Sequence, residues 1–185
     1  MTTRPTAKRT SLLHRMVRAA ALRADAYEEV EADPAATVQA VGVVVLASVA
    51  AGVGARGFGG GAPGDIAFFT VVALCVWGSW ALLTYQLGAR ILPERTTQAD
   101  VGQLLRTLGF AASPGVAHVV GVLPGMTRPV FAVTSIWMLL AMIVAVRQAL
   151  DYESTGRAVA VCVVGWLLAM ALAVAAGTFF GPVVS

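Results

Sequence analysis

The sequence predicts an all-α, polytopic membrane protein: a five-transmembrane-helix bundle with an N-terminal amphipathic helix at the membrane interface. Three observations carry that prediction. Apolar residues make up 58% of the 185-residue chain and charged residues only 12%, about half the charged share of a soluble domain. The apolar residues gather into five runs, each about twenty residues long, enough to cross a hydrocarbon core of roughly 30 Å. The 13 basic residues cluster before the first run and at the ends of later ones, as on a cytoplasmic membrane face.

The N-terminal part, residues 1–33, opens with a polar, basic tail (Arg4, Lys8, Arg9) attracted to anionic lipid. Residues 11–32 follow as SLLHRMVRAAALRADAYEEVEA. Leu12, Met16 and Leu22 recur at helical spacing with Arg15, Arg18 and Arg23 between them, which reads as one basic amphipathic helix whose arginines meet lipid. Its second half is acidic, and Tyr27 and Val30 share a face that could dock on a bundle. A solvated surface helix is the plainer reading of the same pattern. The first thirty residues hold no continuous apolar core, so no cleavable signal peptide is expected.

Asp33-Pro34 starts the transmembrane domain, residues 34–185, because Asp caps free N–H groups and Pro suits a first helical turn. The first span covers about residues 36–55 and is rich in small residues (Gly42, Ala47, Ser48, Ala51, Gly52, Gly54) that allow close helix packing. A glycine-rich linker leads to the second span, about 66–92, in which Trp77 and Trp80 lie mid-span and read as packing residues. Asp100 and Gln103 form a capping-box pattern at the start of the third span, about 101–123. That span is interrupted by Gly109, Phe110, Ser113, Pro114 and Gly115. Proline removes one N–H and clashes with the carbonyl four residues back, so in lipid the freed carbonyl needs a new donor; Ser113 is the local candidate. The fourth and fifth spans cover about 130–150 and 158–180.

Five spans place the termini on opposite sides. Eleven basic residues fall on the N-terminal side and two, Arg56 and Arg128, on the other. The excess puts the N-terminus in the cytoplasm and the C-terminus outside, in the cytoplasmic (inner) membrane. On the cytoplasmic side, Arg106, Arg147, Asp151 and Glu153 are spaced to form an ion-pair cluster with the acidic end of the first helix, or else a solvated rim of charge.

The third span carries G-[aromatic]-x-x-x-P at Gly109, Phe110 and Pro114. With the segments LLRTLGFAASPGVAHVVGVLPG and IWMLLAMIVAVRQALDYESTGRAVAVCVVGW, the chain resembles bacterial Yip-domain proteins over roughly residues 30–166. That family is named for eukaryotic Ypt/Rab-interacting membrane proteins. The resemblance implies a five-helix integral membrane protein. In eukaryotes it implies vesicle traffic, membrane shaping and GTPase partners. The eukaryotic N-terminal partner motif is absent here, with Asp25-Ala26-Tyr27 only a weak echo.

No catalytic, cofactor or metal set emerges. Ser113 and His118 lie five apart across the Pro-Gly break with no acid in their span to orient the imidazole. Cys75 and Cys162 are isolated in apolar runs, and His14 and His118 lack neighbouring ligands. The basic residues have no aromatic interleaving, so no nucleic-acid partner is expected. The sequence points to a non-enzymatic scaffold or accessory subunit, with membrane lipids and another membrane protein or a second copy as partners and no cofactor. The alternative is a small transporter or channel component with the broken third helix lining the path.

Overall fold

A helix forms where the apolar periodicity runs unbroken, and this chain offers little else. The computed structural model describes residues 11–56, 63–93 and 100–180, without the side chains of 56, 63–70, 72, 73, 166 and 169–180. Among these residues there is no strand. The expected basic tail, glycine-rich linker, 94–99 connector and C-terminal tail lie outside them.

The α-helices are α1 (Leu12–Ala20), α2 (Ala24–Ala32), α3 (Ala36–Arg56), α4 (Pro63–Tyr85), α5 (Val101–Ala111), α6 (Thr127–Ala149) and α7 (Thr155–Phe180). A π-helical turn, Gln86–Ile91, extends α4, and a 3-10 helix, Ser113–Val122, extends α5. Two described helices, Ala36–Ala55 and Thr127–Ala149, are long and apolar enough to cross a membrane.

Three expectations need correction. The single amphipathic N-terminal helix is two helices, folded into a hairpin at Leu22, which adopts φ +59°. The second apolar run does not end as an α-helix. It widens into the π turn because the Tyr152 hydroxyl sits 2.9 Å from the carbonyls of both Gly88 and Leu92, while the Leu92 N–H reaches back to Leu87. The third run is not one kinked α-helix either: beyond Ala112 it tightens into ten residues of 3-10 helix. Its steeper rise, about 2.0 Å per residue against 1.5 Å, makes the interrupted segment longer than the same residues would be as an α-helix.

The 3-10 segment lies between α3 and α6, and the packing is made close by small residues one heptad apart on α3. Ala40 faces Gly109, where an added Cβ would come within 2.6 Å of the Ala40 Cβ. Ala47 faces Gly115 in the same way at 3.0 Å. Gly54 presses on the backbone carbonyl of His118, which an added Cβ would overlap at 1.9 Å. Gly42 and Gly52, expected among the packing residues, meet nothing within 4 Å. The buried core joins Tyr27 and Val30 of α2 to Val43, Leu104, Phe110, Val146 and Val161.

The outward faces are apolar. Val38 is 79% exposed, Val76 60% and Val133 64%, and Leu46, Ile136, Val163 and Leu167 are exposed beside them.

Candidate functional site: the docked hairpin and the broken helix

The N-terminal hairpin is built to turn its charges inward. Ser11 caps α1 by accepting from the His14 N–H, and α1 then presents Arg15 to the bundle, 6% exposed. Its guanidinium donates to Glu29 at 3.0 Å, Asp33 at 2.8 Å and Gln39 at 2.8 Å. Burial opposes the charge, but the hydrogen bonds that Asp33 and Glu29 accept and their negative charges outweigh it, and Arg15 is held more firmly protonated than a free arginine. Arg18 pairs with Glu29 and, at 2.9 Å, with Asp25. Arg23 also holds Asp25, at 3.0 Å. With Arg23 and Arg18 donating to it, the Asp25 carboxyl sits below the usual carboxylate range.

Arg15 and Arg18 were expected to face lipid, and both face α2 instead. The physical reason is that α2 brings a row of carboxylates back alongside α1, and a paired guanidinium satisfies its fork better than a solitary one. What α1 turns outward includes two apolar side chains one helical turn apart, Leu13, 69% exposed, and Val17, 60%, beside exposed His14. Arg23 remains exposed at the hairpin turn.

The hairpin is fastened to the bundle at both ends. Tyr27, fully buried, donates its hydroxyl to the Ala19 carbonyl at 3.0 Å and ties α2 to α1; burial raises its pKa well above the phenolic range. Gln148 near the end of α6 donates to Glu28 at 2.8 Å. About three turns earlier on α6, the Trp137 indole donates to the Ala20 carbonyl at 2.7 Å. The hairpin therefore lies along the flank of α6 rather than beyond its end. Trp137 and Gln39 were missed in the sequence, and nothing local to either residue marks these long-range partners.

The expected cluster of Arg106, Arg147, Asp151 and Glu153 takes a different form. Arg106 is buried and donates to the backbone carbonyls of Val30 (3.1 Å) and Glu31 (3.1 and 2.6 Å), capping the end of α2. Arg147 donates to the carbonyls of Tyr152 (3.2 Å) and Glu153 (3.4 Å). Arg106 thus closes the end of α2, where carbonyls concentrate negative charge, and Arg147 braces the turn between α6 and α7. Asp151 occupies the turn after α6 at φ +50° and lines a polar surface cleft with Arg147, Gln148, Tyr152 and Glu153. Glu31 lies close enough to feel both Asp151 and Arg106. Burial first, then the Asp151 charge, raise its pKa to about 7 against the pull of Arg106.

The broken helix behaves as its residues require. Asp100 and Gln103 form the full capping box, at 2.9 and 2.7 Å. Ser113 donates to the Phe110 carbonyl at 2.6 Å, as the sequence had indicated. Thr127 reaches the Gly121 carbonyl at 2.7 Å and ties the 3-10 segment to α6. His118 is buried and tilted against Phe131, ring centroids 4.2 Å apart. Ser113 donates its hydroxyl hydrogen to the backbone rather than to His118. Among the described residues no cluster of three His, Cys, Asp or Glu could hold a metal ion.

No family model matches the chain, and neither the curated proteins nor the solved structures give a match.

Proposed function

We propose that the chain is a five-span, non-enzymatic integral membrane protein of the cytoplasmic membrane, N-terminus inside and C-terminus outside, that acts as a scaffold or accessory subunit. One observation carries this reading. The two helices long and apolar enough to cross a membrane among the described residues, α3 and α6, have mean hydropathies of 2.0 and 2.3, yet only 33% and 22% of their apolar stretches are buried. The core helix of a water-soluble protein with that composition would be mostly enclosed, whereas a lipid-facing helix loses nothing by exposing valine and leucine. α4, α7 and the combined α5 and 3-10 segment supply the remaining three spans. The Yip-like reading rests on the Gly109-Phe110-Pro114 pattern and on the five-segment order.

A scaffold role is favoured by the fastened hairpin. Arg15, Arg106, Trp137 and Gln148 all serve to hold α1 and α2 in one place, which presents Leu13 and Val17 as a fixed surface rather than a mobile tail. The apolar walls of the space beside the broken helix favour packing over conduction of a polar solute.

The test is mild detergent extraction from native membranes followed by native mass spectrometry. A second protein at fixed stoichiometry, or a discrete homo-oligomer, supports the scaffold role. A bare monomer that drives solute flux in liposomes replaces it with the transport reading.

A further inference from the structure

We propose that the cavity between α3, α4, the 3-10 segment and α6 binds a small apolar molecule carrying a single hydroxyl group. The cavity holds about 300 Å³ and includes Val44, Ala47, Trp77, Trp80, His118 and Met138 in its wall. That volume is at the lower end for ligand pockets.

Three buried side-chain nitrogens lack a hydrogen-bond partner among the described residues: Trp77 Nε1, Trp80 Nε1 and His118 Nε2. All three belong to residues lining this one cavity. Buried polar atoms are nearly always paired, so each orphan calls for a cause, and three around one space share one. His118 itself is 7% exposed.

The orphans define the ligand's polar group. An indole N–H only donates. The other ring nitrogen of His118 is engaged by the Gly115 backbone carbonyl, so it carries the proton and leaves Nε2 as an acceptor. Two donors and one acceptor therefore lie behind this wall. A hydroxyl has the complementary set, two lone pairs and one hydrogen. A ketone satisfies the indoles and leaves His118 unpaired, and a charged group is costly against walls this apolar. Ser48 adds no donor, because its hydroxyl already donates to Val44 at 2.8 Å; its oxygen can only accept, as His118 Nε2 does.

None of the three nitrogens is reached by solvent as the side chains stand. The hydroxyl gains them by displacing a neighbour, and Met138 and Met142 in the wall are unbranched side chains suited to repacking. The inference rests on this cavity and its orphan atoms and does not depend on the number of spans.

The test is tryptophan fluorescence of the purified full-length protein in detergent, titrated with ω-bromododecanol and, separately, with bromododecane. Bromine quenches tryptophan, and both probes partition into micelles. The alcohol should saturate at a concentration about tenfold lower than the alkane, the worth of one to two net hydrogen bonds. His118→Phe and Trp80→Phe should each reduce that preference severalfold, read as the ratio of the two probes' saturation concentrations within the same variant. Dodecanol, and not dodecane, should raise the melting temperature of the wild type, a reading that needs no variant to fold. Equal quenching by the two probes in the wild type, a preference retained in both variants, or equal shifts in melting temperature overturns the proposal.

Discussion

The hydroxyl of Ser113 donates to the carbonyl of Phe110, and that carbonyl is the one Pro114 leaves without its helical donor. In an α-helix the N–H of residue 114 would reach residue 110; proline has none. The serine supplies the missing hydrogen from one residue earlier, and the chain tightens into 3-10 geometry directly afterwards. Proline imposes the break and serine makes it tolerable in a buried position. The shape that follows lets Gly54 press on the His118 carbonyl.

Ser113→Ala should therefore destabilise the protein by about 1–3 kcal/mol, the cost of a buried acceptor left unpaired. Pro114→Ala restores an N–H at the right place, so adding it to Ser113→Ala should recover part of the loss. Alone, Pro114→Ala should straighten the segment and change the assembled size. Denaturation in mixed micelles followed by circular dichroism, with gel filtration, measures both. Strict additivity of the two substitutions would show that the residues act independently.

Much of this was legible because it is local. The break needs only Gly109 to Gly115, the capping box only Asp100 and Gln103, and Tyr27 with Val30 marked the docking face of α2. What stayed hidden depends on residues far apart in sequence. The hairpin turns at Leu22, where no glycine, proline or asparagine announces a left-handed residue. Arg15 and Arg18 look lipid-facing until the carboxylates of α2 fold back beside them. The π turn at Gln86–Ile91 is shaped by Tyr152, more than sixty residues later. The orphan indoles of Trp77 and Trp80 follow from what surrounds them, which spacing along one helix does not reveal.

Arg15 and Arg23 differ in burial, and substitution should separate them. Arg15→Gln removes the guanidinium's bonds to Glu29, Asp33 and Gln39 at once and should cost about 2 kcal/mol, in the range for hydrogen bonds to charged groups, since Glu29 keeps Arg18. Arg23→Gln removes an exposed pair and should leave stability unchanged within error. Arg15→Lys should rescue little, since an ammonium lacks the planar fork that reaches three acceptors. Thermal melting in detergent compares all three. Trp137 fluorescence should report release of the hairpin in Arg15→Gln alone. Equal effects at both positions would mean that the hairpin is not held by its inward arginine.

Glu31 makes the docking of the hairpin sensitive to pH. Its pKa is raised to about 7 in the folded protein, against roughly 4.3 for an unperturbed glutamate. Between those values the folded state binds a proton that the unfolded state has released, so stability falls as pH rises. The contribution is complete at pH values below the unfolded pKa and is lost as pH climbs through about 7. Hydrogen exchange of α2 amides, corrected for the intrinsic pH dependence, should therefore show stronger protection under mildly acidic than mildly alkaline conditions. Glu31→Gln should abolish the dependence, because it keeps the shape and removes the charge. Asp151→Asn should shift the midpoint downward, since the Asp151 charge is second only to burial in raising Glu31. A midpoint that ignores Asp151→Asn but vanishes in Glu31→Gln would assign the shift to burial and to the Glu28 and Asp100 charges. A profile unchanged in Glu31→Gln would place the titrating group elsewhere in the hairpin.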